Sequence, residues 1–176
     1  MNYSVKNAII FAFVYIAFEM GLIMANMQYS ENASFFSYAA SSCALMIAVA
    51  LTILASAKEF RGQSFINDLK NGLKTSGVYA IIIASFLVLY HTTLVPDYAD
   101  VRVEMVKESA LNTPLEVIQE NNPNMVKEDF VAQQVDTARF WLTPKKIFPM
   151  ALLGIMLIGM VYSFIFTALF RKLLFR

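Results

Sequence analysis

The sequence predicts an all-α fold: an integral membrane four-helix bundle with amphipathic helices in a long extracytoplasmic loop between the third and fourth spans. Hydrophobic residues make up 58% of the chain and charged residues only 15%, whereas about 25% of residues are charged in an ordinary soluble domain. Four apolar stretches are each near the roughly 20 residues that a helix needs to cross a bilayer. They cover residues 8–25, 35–57, 75–95 and 147–170, and we expect residues 1–176 to form one membrane domain.

The first span is expected to stay in the mature protein. Lys6 precedes its apolar run, which is also how a cleaved signal peptide begins. Glu19 interrupts the run, however, and no clear cleavage site of small residues follows it. A short polar turn starts at Asn26, so the first and second spans should be antiparallel neighbours.

Charged residues outside the spans predict the orientation. The loop of residues 58–74 and the C-terminal tail carry more basic than acidic residues, whereas residues 96–146 carry nine acidic and six basic ones. Lysine and arginine are retained on the cytoplasmic side of a membrane. We therefore expect both termini and the 58–74 loop in the cytoplasm, and residues 96–146 outside it.

Small residues on the second and fourth spans predict close helix packing. On the second span they recur at intervals of four, which places them on one helix face where another backbone can approach. We expect these two seams to hold the four spans together, or alternatively to bind a partner subunit. The seams are Ala40, Ala44, Ala48, Thr52 and Ser56 on the second span, and Gly154, Gly159, Ser163 and Thr167 on the fourth.

The cytoplasmic loop allows two interpretations. Residues 64–72 fit an interfacial helix, with Phe65 and its apolar neighbours on one side and Asp68 and Lys70 on the other. The plainer interpretation is an ordinary basic loop against anionic lipid headgroups. The sharper one is a docking surface for a cytoplasmic partner, formed by Arg61, Phe65, Lys70 and Lys74.

The segment of residues 96–146 is predicted to form amphipathic helices. Three helix starts combine a capping residue with a proline: Thr113–Pro114 with Glu116, Asn122–Pro123, and Thr143–Pro144 before the fourth span. Apolar residues recur at helical spacing between them. Phe140 and Trp141 stand just before the fourth span, where aromatic rings favour the membrane interface.

Glu19 and His91 are the main candidates for an intramembrane polar site. An ionisable side chain within a span is costly and usually faces the helix interior or water. Both residues lie toward the same ends of their helices, so a contact that relays protons or binds a substrate headgroup is conceivable. Tyr15 and Asn26 are their candidate polar neighbours, with Tyr90 and Thr92. The plainer interpretation is structural: a neutral Glu19 bonded to another helix, and His91 at the interface.

No metal site, cofactor or catalytic residue is predicted. Four carboxylates at helical spacing, Asp97, Asp100, Glu104 and Glu108, could bind a divalent cation, but a solvated acidic face is the commoner arrangement. The chain has one histidine, one cysteine and no glycine-rich phosphate loop, which excludes most recognised catalytic constellations. Cys43 lies within the second span and has no cysteine to pair with.

Three stretches of the chain together carry a family resemblance. They are Phe60, Arg61, Gly62, Ser64, Phe65 and Gly72 after the second span, Tyr90 to Tyr98 after the third, and Phe148, Pro149, Gly154, Arg171 and Lys172 in the fourth span and tail. In order and spacing they resemble a family of small four-span bacterial membrane proteins, domain of unknown function 4199. The resemblance implies an inner-membrane protein without an established activity. Members are often encoded near membrane glycosyltransferases of cell-envelope assembly, which implies an accessory role.

We therefore expect a non-enzymatic accessory or scaffold subunit of the bacterial cell envelope. Its environment is the lipid bilayer, and its partner is another membrane protein or a second copy of the chain. The alternative is a small transporter or lipid-carrier-handling protein that uses Glu19 and His91 in an outward-facing cavity. Nothing in the charge pattern indicates a nucleic-acid partner.

Overall fold

The computed structural model describes residues 2–30, 32–59 and 64–174. Within these ranges the chain forms seven α-helices and no strand, which confirms the predicted all-α fold. A π-helical turn, Tyr90–Leu94, continues the third helix. The helices are α1 (Tyr3–Met24), α2 (Ala33–Glu59), α3 (Phe65–Leu89), α4 (Tyr98–Asn112), α5 (Leu115–Asn121), α6 (Lys127–Leu142) and α7 (Pro144–Leu174).

Four of the described helices are long and apolar enough to cross a membrane. These are α1, α2, α3 with its π-helical turn, and α7. They coincide with the four spans predicted from the sequence and extend beyond most of the predicted limits. The described residues form two compact units, one made of the chain up to Phe86 and from Pro149 onward, the other of Leu87–Phe148.

In the first unit, α1 presents one narrow face to α2 and α3. Its buried residues are spaced by three or four, which keeps them on one side of a helix. At its C-terminal end, the Asn26 N–H donates to the Ile23 carbonyl and the Met27 N–H to the Leu22 carbonyl. Asn26 has a φ of 54°, and this combination is a Schellman cap that ends the helix. The buried residues of α1 are Ser4, Ala8, Ala12, Tyr15 and Glu19.

Helices α3 and α7 approach closely where a glycine of each meets a serine of the other. A Cβ added at Gly72 would lie 2.7 Å from the Ser163 hydroxyl oxygen, and one added at Gly159 would overlap Ser76. Ser76 and Ser163 are buried and donate to carbonyls of their own helices. Small side chains thus permit this contact.

Only some residues of the two predicted seams are buried. Ala44 and Ala48 are buried and Ala40 is half-buried. Gly154 is exposed, and no atom of the described structure lies within 4 Å of where its Cβ would be. Gly154 is five positions before Gly159, which rotates it about 140° away from the face that meets α3.

The interfacial helix predicted for residues 64–72 is not a separate element. These residues form the first turns of α3, which begins at Phe65 and continues to Leu89. Asp68 is 1% exposed rather than on a polar face. Ile66, placed on the apolar side by the sequence, is 58% exposed. The helix therefore turns its polar side inward at this point.

The second unit contains the predicted amphipathic helices, with α6 in contact with both α4 and α5. Of the three predicted helix starts, the first lacks its predicted cap and the second was wrong. The Thr113 hydroxyl donates back to the Ser109 carbonyl, and α5 begins at Leu115 without a side-chain cap. Asn122 ends α5, and α6 begins at Lys127. The third start is confirmed, because α7 begins at Pro144.

Candidate functional site

A buried aspartate ties three helices together at the end of the first unit where α1 begins and α7 ends. Asp68 on α3 accepts a hydrogen bond from the Ser56 hydroxyl of α2 at 3.1 Å. Its other oxygen accepts one from the Arg171 Nε of α7 at 3.0 Å. Both carboxylate oxygens are therefore satisfied, as a buried charge requires.

Further hydrogen bonds connect this group of side chains to α1. The Asn71 side chain donates to the Ser56 hydroxyl at 2.9 Å, and the Thr75 hydroxyl donates to that of Thr52 at 3.1 Å. Asn7 of α1 also donates to Thr52, at 3.0 Å. We call these seven residues the basal network, and it includes side chains from α1, α2, α3 and α7. They are Asn7, Thr52, Ser56, Asp68, Asn71, Thr75 and Arg171.

Sequence analysis missed the basal network. Thr52 and Ser56 were recognised as small residues of a seam, and Arg171 as part of a basic tail. Asp68 and Arg171 are 103 positions apart, and no local pattern connects them. One sequence signal could have predicted a buried polar contact. Asp68 is an acid among basic residues at the start of a helix, and Thr52 and Ser56 are polar positions of the seam.

Glu19 occupies a different environment. It lies in α1 and is 3% exposed, and its Oε1 has no hydrogen-bond partner among the described residues. Tyr15, one helical turn earlier and 4% exposed, has its hydroxyl beside the Glu19 carboxyl. The Tyr15 ring meets the Phe86 ring edge to face, with centroids 6.4 Å apart. The structure thus brings Glu19 and Tyr15 together, as predicted.

Asn26 and His91 do not share the surroundings of the Glu19 side chain. Asn26 is exposed and caps α1, so it does not join the Glu19 side chain. His91 belongs to the second unit, in the π-helical turn. Because Glu19 and His91 are in different units, their pairing stays a prediction.

His91 packs within an aromatic cluster of the second unit. Its ring lies 4.8 Å from that of Tyr98 and 5.3 Å from that of Tyr90, centroid to centroid. Arg102 covers Tyr98 and its Nε donates to the Tyr98 hydroxyl at 3.1 Å. The His91 Nδ1 atom is buried and has no hydrogen-bond partner in the described part of the chain. Sequence periodicity did not predict the π-helical turn that contains His91.

The predicted cytoplasmic surface is exposed only in part. Lys70 and Lys74 are exposed on α3. Phe65 is half-buried and packs edge to face on Phe164 of α7, with ring centroids 5.8 Å apart. Arg61 lies outside the described residues.

Helices α4 and α6 carry the remaining candidates. Glu104 on the acidic face forms an ion pair with Lys107 at 2.9 Å, and no group of potential metal ligands is found among the described residues. Phe140 and Trp141 are about half exposed at the end of α6. They line an open surface groove with Gln133, Asp136 and Thr137.

Four apolar helices joined by buried polar side chains define a multi-span α-helical membrane protein. Residues 6–172 match the model of one protein family, described as "Protein of unknown function (DUF4199)". The chain belongs to this family, as the resemblance predicted. No curated protein and no solved structure shows significant similarity to it.

Proposed function

We propose that the protein is a non-enzymatic accessory or scaffold subunit built on a four-helix bundle. The observation that carries the proposal is the basal network, in which buried polar side chains bind helix to helix. Such contacts fix the arrangement of the helices that they join. A set of membrane helices joined in this way suits a role in positioning another protein.

The proposed location is the inner membrane of a bacterial cell envelope, with both termini in the cytoplasm. The excess of basic residues beside the basal network supports this orientation. Arg171 and Lys172 follow the apolar part of α7, and Lys70 and Lys74 lie in the first turns of α3. The family resemblance, which implies an inner-membrane protein, supports the location.

Cysteine labelling tests the orientation, because Cys43 is the chain's single cysteine. In a Cys43→Ala background, Lys70→Cys should resist a membrane-impermeant maleimide in intact cells and react after lysis. Glu116→Cys, on the exposed surface of α5, should react in intact cells. The reverse pattern would contradict the proposed orientation.

Native mass spectrometry tests the scaffold role. The tagged full-length protein is extracted from its native membrane in a mild detergent. We expect it to retain a membrane protein in fixed stoichiometry, either a different chain or a second copy. Loss of this bound protein on extraction at high salt would show that charged surfaces hold the complex together. A lone chain under all mild conditions would reject the scaffold proposal.

A second candidate function rests on Glu19. A small transporter or lipid-carrier-handling protein needs a polar group within the membrane, and Glu19 is a buried acid with an unpaired oxygen. In the same experiment, a lone chain that carries a bound lipid or small molecule would favour this function.

A further inference from the structure

The first unit buries two acidic side chains, Asp68 and Glu19, which differ in their hydrogen-bond partners. Asp68 has a partner for each carboxylate oxygen. Glu19 is 3% exposed, yet its Oε1 has none within the described structure, and no ion pair there involves it. A buried acid costs at least a few kcal/mol inside a membrane unless a partner compensates it. The contrast indicates that a partner for the Glu19 Oε1 atom comes from outside the described residues.

The surroundings of Glu19 define the chemistry of that partner. An unpaired carboxyl oxygen requires a hydrogen-bond donor or a cation. The Tyr15 hydroxyl adds a second oxygen beside it, and the Tyr15 ring, which packs edge to face on Phe86, adds an aromatic surface. Carboxylate, hydroxyl and aromatic ring together are the groups that recognise an ammonium ion.

The position of Glu19 along α1 is also informative. It is five residues before Met24, the last residue of the helix, which corresponds to about 7 or 8 Å. This depth is within reach of a lipid headgroup in the leaflet opposite the basal network.

We propose that Glu19 and Tyr15 form a binding site for an ammonium group, supplied by an amine-bearing lipid headgroup or a free organic amine. The inference names a ligand class for the second candidate function, and it rests on that proposed function because both assign a role to Glu19. It requires binding only and makes no claim that the ligand is moved across the membrane.

Lipid retention in nanodiscs tests the proposal on the full-length protein. Nanodiscs contain phosphatidylglycerol alone or with phosphatidylethanolamine, and native mass spectrometry measures the lipid that stays bound. We expect wild type to retain phosphatidylethanolamine, and Glu19→Gln to retain it at least about tenfold less, because a charge-assisted hydrogen bond is lost. Tyr15→Phe should retain an intermediate amount.

A second arm separates the two sources of the ammonium group. Ethanolamine is added to wild type in nanodiscs of phosphatidylglycerol alone, and the melting temperature is measured. A rise in wild type that is absent in Glu19→Gln would identify free amines as ligands. Retention of phosphatidylethanolamine without this rise would identify the lipid headgroup.

The matched control is Asp68→Asn, which removes the other buried acid. This variant should lose stability and keep wild-type lipid retention.

Equal retention by wild type and Glu19→Gln, with no Glu19-dependent ethanolamine effect, would overturn the proposal. If Glu19→Gln fails to fold, Tyr15→Phe decides: unchanged retention and an unchanged ethanolamine effect would overturn it. Binding without transport would reject only the transporter function, whereas Glu19-dependent transport without amine binding would reject only this inference.

Discussion

Replacing Arg171 by leucine is expected to lower the free energy of unfolding by about 3 kcal/mol, the low end for a broken buried ion pair. Asp68 is 1% exposed, so its charge would stay buried without its main partner. The estimate is at the low end because the Arg171 side chain is 28% exposed, and water can replace part of the contact. Unfolding in mixed micelles of a mild detergent and dodecyl sulfate measures the change.

Two controls separate this effect from a loss of tail charge. Lys172→Leu removes an exposed neighbouring charge and should change stability by less than about 0.5 kcal/mol. The double variant Asp68→Asn/Arg171→Leu should recover part of the loss, because no buried charge remains. If Arg171→Leu and Lys172→Leu behave alike, the basal network does not stabilise the helices.

Gly159→Val is expected to lower the free energy of unfolding by about 1–3 kcal/mol, as overpacking of an interior does. A Cβ at this position overlaps Ser76. Ser76 is held by its bond to the Gly72 carbonyl at 3.0 Å, and Gly72 itself is against Ser163. Helix α7 must therefore move away from α3 to accept the larger side chain. The same unfolding assay measures this change.

Gly154→Val is the matched control on the same helix. Its Cβ meets no described atom within 4 Å, so it should be neutral or slightly stabilising because valine favours a helix more than glycine does. The difference between the two variants isolates packing from helix propensity. Equal destabilisation of both would show that α3 and α7 do not meet at Gly159.

The candidate site was only partly predictable from sequence. Glu19 stood out because a carboxylate within an apolar run is unusual, and Tyr15 was named as a polar residue near it. Asn26 was misassigned because polarity alone does not distinguish a helix cap from a ligand-binding side chain. Asp68 was assigned to a polar surface because its neighbours are polar and basic, and only the packing of α7 brings Arg171 to it.

Composition and hydropathy by themselves determined that the chain is all-α and has four apolar helices, because segment length and polarity set what can cross a bilayer. They also located the helical segment between the third and fourth spans, since helical periodicity is local. The tertiary structure alone decided which polar residues are buried and what each one meets. Hydrogen bonds such as those from Asn7 to Thr52 and from Arg171 to Asp68 join residues distant in sequence. The same packing satisfies both oxygens of Asp68 and leaves one oxygen of Glu19 without a partner among the described residues. Neither outcome could be read from the residues adjacent in the chain.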